Sequence, residues 1–191
     1  KTEATLVSFF GRVNYGFMNR YMLTATLRRD GSSRFGDNHK WGTFPSVSVA
    51  WRVSDEPFMQ ATSGWLENLK VRFGFGVTGN QNGIGEYKSL SILSASGAAY
   101  YDPISKTWKN AYVQAQNANP DLKWESTKQW NLGIDFTLFS RLTGTLELYH
   151  KKTSDLLWTY PVPQPPYLVG TMLANVGDLV NKGVELTLGA N

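Results

Sequence analysis

The chain has 191 residues, a formal net charge of +4, 41% hydrophobic and 14% aromatic residues, and no cysteine. That length allows one sizeable domain, and the missing cysteine excludes a disulfide scaffold, a Cys-ligated zinc site and a thiol nucleophile. The Lys and Arg residues are scattered, with no basic run of the kind that grips nucleic acid, and no stretch approaches the roughly 18 apolar residues of a transmembrane helix.

Alternation of apolar and polar residues with a period of two, the mark of a strand with one greasy and one wet face, recurs seven times. The first run, Ala4 to Tyr15, is the least regular. The second, Arg20 to Asp30, sets Tyr21, Leu23, Ala25 and Leu27 against Met22, Thr24, Thr26 and Arg28. The third, Thr43 to Val53, sets Val47, Val49 and Trp51 against Ser46, Ser48, Ala50 and Arg52. In the fourth, Leu69 to Thr78, Val71, Phe73 and Phe75 alternate with Lys70, Arg72, Gly74 and Gly76. The fifth, Trp124 to Phe139, opposes Trp130, Leu132, Ile134 and Phe136 to Gln129, Asn131, Gly133 and Asp135. It far exceeds the usual strand of about 5–6 residues. The sixth is Leu142 to Thr153, with Leu146 and Leu148 against Glu147 and Lys151; the seventh is Lys182 to Leu188, with Val184 and Leu186 against Glu185.

The connections alternate in length. Gly16 to Asn19 and Ser140-Arg141 are tight turns, while Asp30 to Gly42 is a polar loop. Between the third and fourth runs, Ser54 is placed to cap a short helix reaching Met59, with Asp55 and Glu56 in its first turn. Gly79 to Leu122 and Ser154 to Asn181 are very long. Long structureless loops are uncommon in compact soluble domains. Short turns at one end, long loops at the other and long alternating strands describe a transmembrane β-barrel. The fold class expected is therefore all-β, an antiparallel transmembrane β-barrel segment with long extracellular loops. Trp51, Trp124, Trp130 and Trp158, near strand ends, are candidates for the interfacial aromatic girdles. A soluble secreted β-sandwich that binds carbohydrate through Tyr100, Tyr101 and Trp108 is the alternative, because sandwich strands alternate too.

An ordered set of motifs narrows the choice: LTATLRRDGSSRFG (Leu23 to Gly36), FPSVSVAWRVSDEPFM (Phe44 to Met59), GVTGNQ (Gly76 to Gln81), NPDLKWEST (Asn119 to Thr127), YHKKTSDLL (Tyr149 to Leu157), PVPQPP (Pro161 to Pro166) and NVGDLVNKGVEL (Asn175 to Leu186). Together they resemble the SusC/RagA family of TonB-dependent outer-membrane transporters of the Bacteroidetes. The resemblance implies a barrel of about 22 strands with an N-terminal plug, in the outer membrane of a Gram-negative cell. It further implies energy supplied through TonB, uptake of oligosaccharides or peptides, a SusD-like surface lipoprotein that caps the barrel, and a dimer of transporter–lipoprotein pairs. No cofactor is implied. Seven strands cannot close so wide a barrel. Residues 1–191 are thus expected to be one partial barrel domain, with the plug, the TonB-contacting region and the remaining strands outside it.

The polar faces put Arg28, Arg52, Arg72, Asp135, Glu147 and Glu185 toward the lumen, with Lys128 and Lys151 sharing that face. Two facing carboxylates such as Asp135 and Glu147 are the raw material of glycoside hydrolysis, but nothing in the sequence fixes their separation and no catalytic residue is assigned. Asp30, Asp37 and Asn38 do not match a calcium-loop spacing and read as turn chemistry. His39 and His150 lack partners at a metal-binding spacing and read as structural. Pro120 starts an extended entry into the fifth strand, with Trp124 as an aromatic anchor. The loop AAYYDPISKTWKNAYVQ carries Tyr100, Tyr101, Trp108 and Tyr112, and the proline-stiffened LWTYPVPQPPY carries Trp158 and Tyr160. Aromatic side chains of this kind serve either to stack on substrate or to pack against a protein lid.

Overall fold

The computed structural model of the chain describes residues 3–190. All seven alternating runs are strands of one antiparallel sheet: β1 (Leu6–Phe17), β2 (Tyr21–Ser32), β3 (Trp41–Arg52), β4 (Leu66–Asn80), β7 (Glu125–Leu138), β8 (Leu142–Ser154) and β11 (Asp178–Ala190). Their spatial order is β1-β2-β3-β4-β7-β8-β11. The intervening numbers belong to two separate hairpins, β5 (Ile92–Asp102) with β6 (Thr107–Gln116), and β9 (Leu157–Pro161) with β10 (Thr171–Asn175). Each strand of the large sheet has 12 to 15 residues, more than the roughly 9–11 that a tilted strand needs to cross hydrocarbon.

Register turns the sequence alternation into two faces. Phe73 lies opposite Leu132, Leu132 opposite Leu148, and Leu148 opposite Val184; the row Val71, Ile134, Leu146 and Leu186 runs beside it. No second sheet covers this apolar band among the described residues, and Phe73, Val184, Leu186 and Leu188 lie exposed. A sandwich buries that face against a partner sheet, so the soluble alternative fails. The opposite face carries Arg72, Gly133, Glu147 and Glu185 in one row. Lys151, opposite Gln129, is on this polar face, but Lys128 is not. It lies opposite Lys152, two residues from Trp130, and so belongs to the apolar side. The side-chain period of two decides this without exception inside a regular ladder.

Three connections gather at one end. The β1–β2 and β7–β8 turns each place two residues at positive φ, Met18 with Asn19 and Phe139 with Ser140, which matches the right-handed twist of the strands they join. The third connection is not the capped helix expected from Ser54. It forms two 3-10 turns, Val53–Asp55 and Pro57–Thr62, neither with a side-chain cap. Pro57 explains the break: it forces Glu56 into an extended conformation (φ −79°, ψ 145°), and the Ser54 hydroxyl donates to Asp55 instead. Buried Glu56 then organises this end. It accepts from the Tyr21 phenol, from Trp51 Nε1 at 3.0 Å and from Arg20 at 3.2 Å, and these donors, Tyr21 foremost, hold its carboxyl below the usual range.

At the long-loop end the loops fold around a small core of their own. Phe35 (1% exposed), Leu122 (0%), Ile84, Phe44 and Trp124 (8%) pack together, with Val77, Leu157 and Leu173 against them. Trp124 meets Phe35 at 4.6 Å and Phe44 edge-on at 5.5 Å, and its indole N–H donates to the Lys40 carbonyl at 3.2 Å. It is a core residue, not an interfacial anchor, because three loops converge over it. The motifs read as turns are the seams of this core. The Gly36 N–H donates to the Leu122 carbonyl, Asn119 Nδ2 donates to the Leu173 carbonyl, and the Asn175 amide both accepts from the Lys123 N–H and donates to the Lys123 carbonyl.

Candidate functional site

The two long connections are not structureless. Each contains a hairpin: β9–β10 is footed on the loop core through Leu157 and Leu173, and β5–β6 is held at its foot by Gln116, which donates to the Tyr87 and Leu90 carbonyls. In β5–β6, Tyr101 lies opposite Trp108, with ring centroids 5.6 Å apart in an edge-to-face arrangement. Alternation along β6 puts Tyr112 on the same face as Trp108, and both are exposed, Trp108 at 71%. Tyr100 pairs with Lys109 on the reverse face. There Asp102 accepts from Lys109, from the Ser105 hydroxyl at 2.8 Å and from the Ile104 N–H at 3.0 Å. These contacts, Lys109 first, hold the Asp102 carboxyl down at about 2. The tip is thus clamped from one side and aromatic on the other. Ile104, at its apex, is 93% exposed.

In β9–β10 the pairing is Trp158 with Ala174 and Tyr160 with Met172. Leu157 and Leu173, which face the loop core, alternate with them, so Trp158 and Tyr160 occupy the face turned away. Trp158 is therefore a loop residue and not part of a membrane girdle. The stretch Leu157–Pro161 is a strand whose backbone partners are supplied by β10. Asn117 Nδ2 ties the two hairpins at their feet by donating to the carbonyl of Thr171 at 3.0 Å. The candidates thus fall into two groups, Tyr101, Trp108 and Tyr112 on one hairpin and Trp158 with Tyr160 on the other. No ring contact joins the groups among the described residues.

On the polar face, Arg72 reaches across two strands. It donates to Asp135 through Nε and Nη2 at 2.7 and 2.9 Å, and through Nη2 to Glu147 at 2.9 Å. Gly133 makes this possible: it lies between Arg72 and Glu147 in the ladder, and a Cβ there would sit 2.9 Å from Arg72 Nη2. Both carboxylates accept from one guanidinium, so they act here as a shared counter-charge to Arg72. Glu185 lies directly opposite Glu147. Arg28 donates to Asp30 at 2.8 Å, and Arg52 sits 3.4 Å from Asp55 at the short-turn end.

Sequence reasoning missed a groove of about 530 Å³ on this face, lined by Arg12, Arg28, Asp30, Asn80, Gln81 and Trp124 among others. It opens because β3–β4 pairing ends at Ser46 and Gly76, next to Pro45, which has no N–H for the ladder. The Gln81 side-chain oxygen is buried there without a hydrogen-bond partner. Its only sequence signal was its place in the GVTGNQ motif.

A sheet that is apolar outside, polar inside, capped by folded loops at one end and tight turns at the other is a piece of transmembrane β-barrel wall. The whole chain, residues 1–191, matches the family model described as TonB dependent receptor-like, beta-barrel. It is 40% identical to the TonB-dependent receptor SusC of Bacteroides thetaiotaomicron over 99% of the chain, which is 19% of that protein. It superposes on the RagAB peptide transporter with a TM-score of 0.82 at 31% identity, covering 98% of this chain and 20% of that one. The siderophore receptor PirA of Pseudomonas aeruginosa, at 17% identity and a TM-score of 0.60, shares the fold. The chain belongs to the TonB-dependent receptor β-barrel family, in its SusC/RagA branch, and is an outer-membrane protein; it spans about one fifth of the relatives it matches.

Proposed function

We propose that residues 1–191 form part of the barrel wall and extracellular loops of a SusC-like importer that takes up oligosaccharides or peptides together with a SusD-like surface lipoprotein. The plug, the TonB contact, the remaining strands and a dimer of transporter–lipoprotein pairs lie outside this segment. The observation that carries this reading is the β5–β6 hairpin: a clamped tip with Tyr101, Trp108 and Tyr112 on one open face, held at its foot by Gln116 to the Tyr87 and Leu90 carbonyls. Rigid aromatic surface of this kind contributes contact area at low entropic cost. Trp158 and Tyr160 form a second contact surface on β9. On the inner face, Arg28, Arg72, Asp135, Glu147 and Glu185 tune passage or seat the plug, and Arg52 braces the short-turn end. The segment performs no covalent chemistry, since Asp135 and Glu147 are both held by Arg72.

The test uses the full-length transporter with its lipoprotein. In Trp108→Ala/Tyr112→Ala, uptake of a fluorescent oligosaccharide or oligopeptide, or co-purification of the lipoprotein, is expected to fall about tenfold, as for loss of two aromatic anchors. Unchanged uptake of both probes together with unchanged co-purification would remove the hairpin from the contact surface.

A further inference from the structure

The outer face of the sheet changes character at its long-loop end. From Phe136 up to Leu132 on β7, and across β8 and β11, its residues are almost wholly apolar. The next row is Trp130, His150 and Lys182, with the Trp130 and His150 rings stacked 5.6 Å apart at 7°. Above it lie Lys128 and Lys152, directly opposite each other, and then Ser126, Ser154 and Asp178. Three lysines therefore converge on three neighbouring strands, all exposed. Lys152 pairs with Asp178 at 2.8 Å; Lys128 and Lys182 have no ion-pair partner among the described residues.

Asp178 offsets this placement only in part, since it pairs with Lys152 alone. Like charges directly opposite across a ladder destabilise it, and the period of two assigns these lysines to the lipid side rather than the wet lumen. Their height is informative. Lys182 lies in an aromatic row that marks the membrane interface, and Lys128 and Lys152 stand one step beyond it, where polar headgroups of the outer leaflet begin. A lysine stem covers apolar surface while its ammonium reaches the headgroup layer, and ammonium groups bind phosphate oxygens through short charge-assisted hydrogen bonds.

We propose that Lys128, Lys152 and Lys182, floored by the Trp130–His150 stack, form a binding site for a phosphate-bearing lipid headgroup in the outer leaflet. The site holds a lipid against β7, β8 and β11 beneath the loop hairpins and neutralises the cross-strand lysine repulsion.

The experiment is native mass spectrometry of the full-length transporter in detergent, titrated with a bis-phosphorylated diglucosamine glycolipid, its dephosphorylated form, or inorganic phosphate. Wild type is expected to retain the phosphorylated lipid and not the dephosphorylated one. The variant Lys128→Gln/Lys152→Gln/Lys182→Gln is expected to need about a hundredfold more lipid for the same retention, as for the loss of about fivefold per lysine. The corresponding triple Arg variant keeps retention, and Lys151→Gln, on the opposite face, leaves it unchanged. Heat-modifiable migration on a gel verifies a closed barrel, and single Lys182→Gln is read in its place should the triple variant not fold. Equal retention by wild type and the Gln variants, or equal retention of the dephosphorylated lipid, overturns the site. So does displacement of lipid by inorganic phosphate at equal concentration, which would mean a free-anion site. Loss of a co-purifying protein with lipid retention intact overturns it in favour of a protein contact.

Discussion

Asp102 is one carboxylate that sets the shape of a whole hairpin tip. Its folded value of about 2 lies below its ordinary 3.8, so the ordering it contributes is complete above about pH 4 and is lost as the pH falls through about 2. The group lies in solvent, so the effect is local rather than a term in global stability. Amide exchange at Ile104, corrected for intrinsic rates, is expected to stay slow from about pH 7 to about pH 4 and to accelerate below. In Asp102→Asn it should be fast throughout; a protected Ile104 amide in that variant would show that the ion pair does not order the tip. Gly36 is a different kind of single-residue control. A Cβ there would fall 1.9 Å from the Pro120 carbonyl oxygen, a clash with backbone that no rotamer relieves. Gly36→Ala should cost the loop core roughly 1–3 kcal/mol, as overpacking does, and be seen as faster proteolytic nicking within residues 33–40. That constraint was not readable beforehand: in the sequence Gly36 is one more turn glycine, and only the neighbouring NPDL segment makes it obligatory.

At the scale of elements, register separates what two lysines and two carboxylates do. Leu132→Lys places a charge in the middle of the apolar band and should lower folding stability in bilayers by roughly 2–4 kcal/mol, while Lys128 is tolerated four residues higher, near the interface. Reversible unfolding of the full-length protein from lipid vesicles measures the cost, and a loss below about 1 kcal/mol at position 132 would place the band elsewhere. The Arg72 bridge links β4, β7 and β8 on the wet face. Its partners are partly exposed, so the coupling energy of Arg72 with Glu147 in a double-mutant cycle should be about 0.2–1 kcal/mol, not the several kcal/mol of a buried pair. The large strands were legible because both of their faces meet uniform environments, which enforces alternation. Hairpins β5–β6 and β9–β10 were not. Ile92–Asp102 carries a glycine at positive φ and an irregular register between Ala95 and Ala99, and neither face lies against a continuous core that would impose a period.

At the scale of the molecule, the sheet ends in two strands, β1 and β11, that pair on one side only among the described residues. Its apolar outer band is unsheltered among the described residues. Both features need the closed barrel and the bilayer. Full-length transporter is accordingly expected to stay with the outer-membrane pellet after high-salt and carbonate washes and to require detergent for release. Release by carbonate alone would mean that the band does not meet lipid. The loop core at one end and the Glu56 cluster at the other fasten the wall at both rims, where neighbouring strands no longer constrain each other by hydrogen bonds alone.

The sequence alone determined the seven long strands, the face on which most residues lie, the asymmetry of the connections and, through its ordered motifs, the family. These are local or one-dimensional properties: a period of two is set by the chemistry on either side of a single strand. Tertiary structure decided what depends on residues distant in sequence. It buried Trp124 under three loops and committed Asp135 and Glu147 to one guanidinium. It also divided the loop aromatics between two hairpins and gathered three lysines from three strands into one patch. Each of these turns on strand register or on loop packing, and both are set by partners that no single stretch of sequence contains.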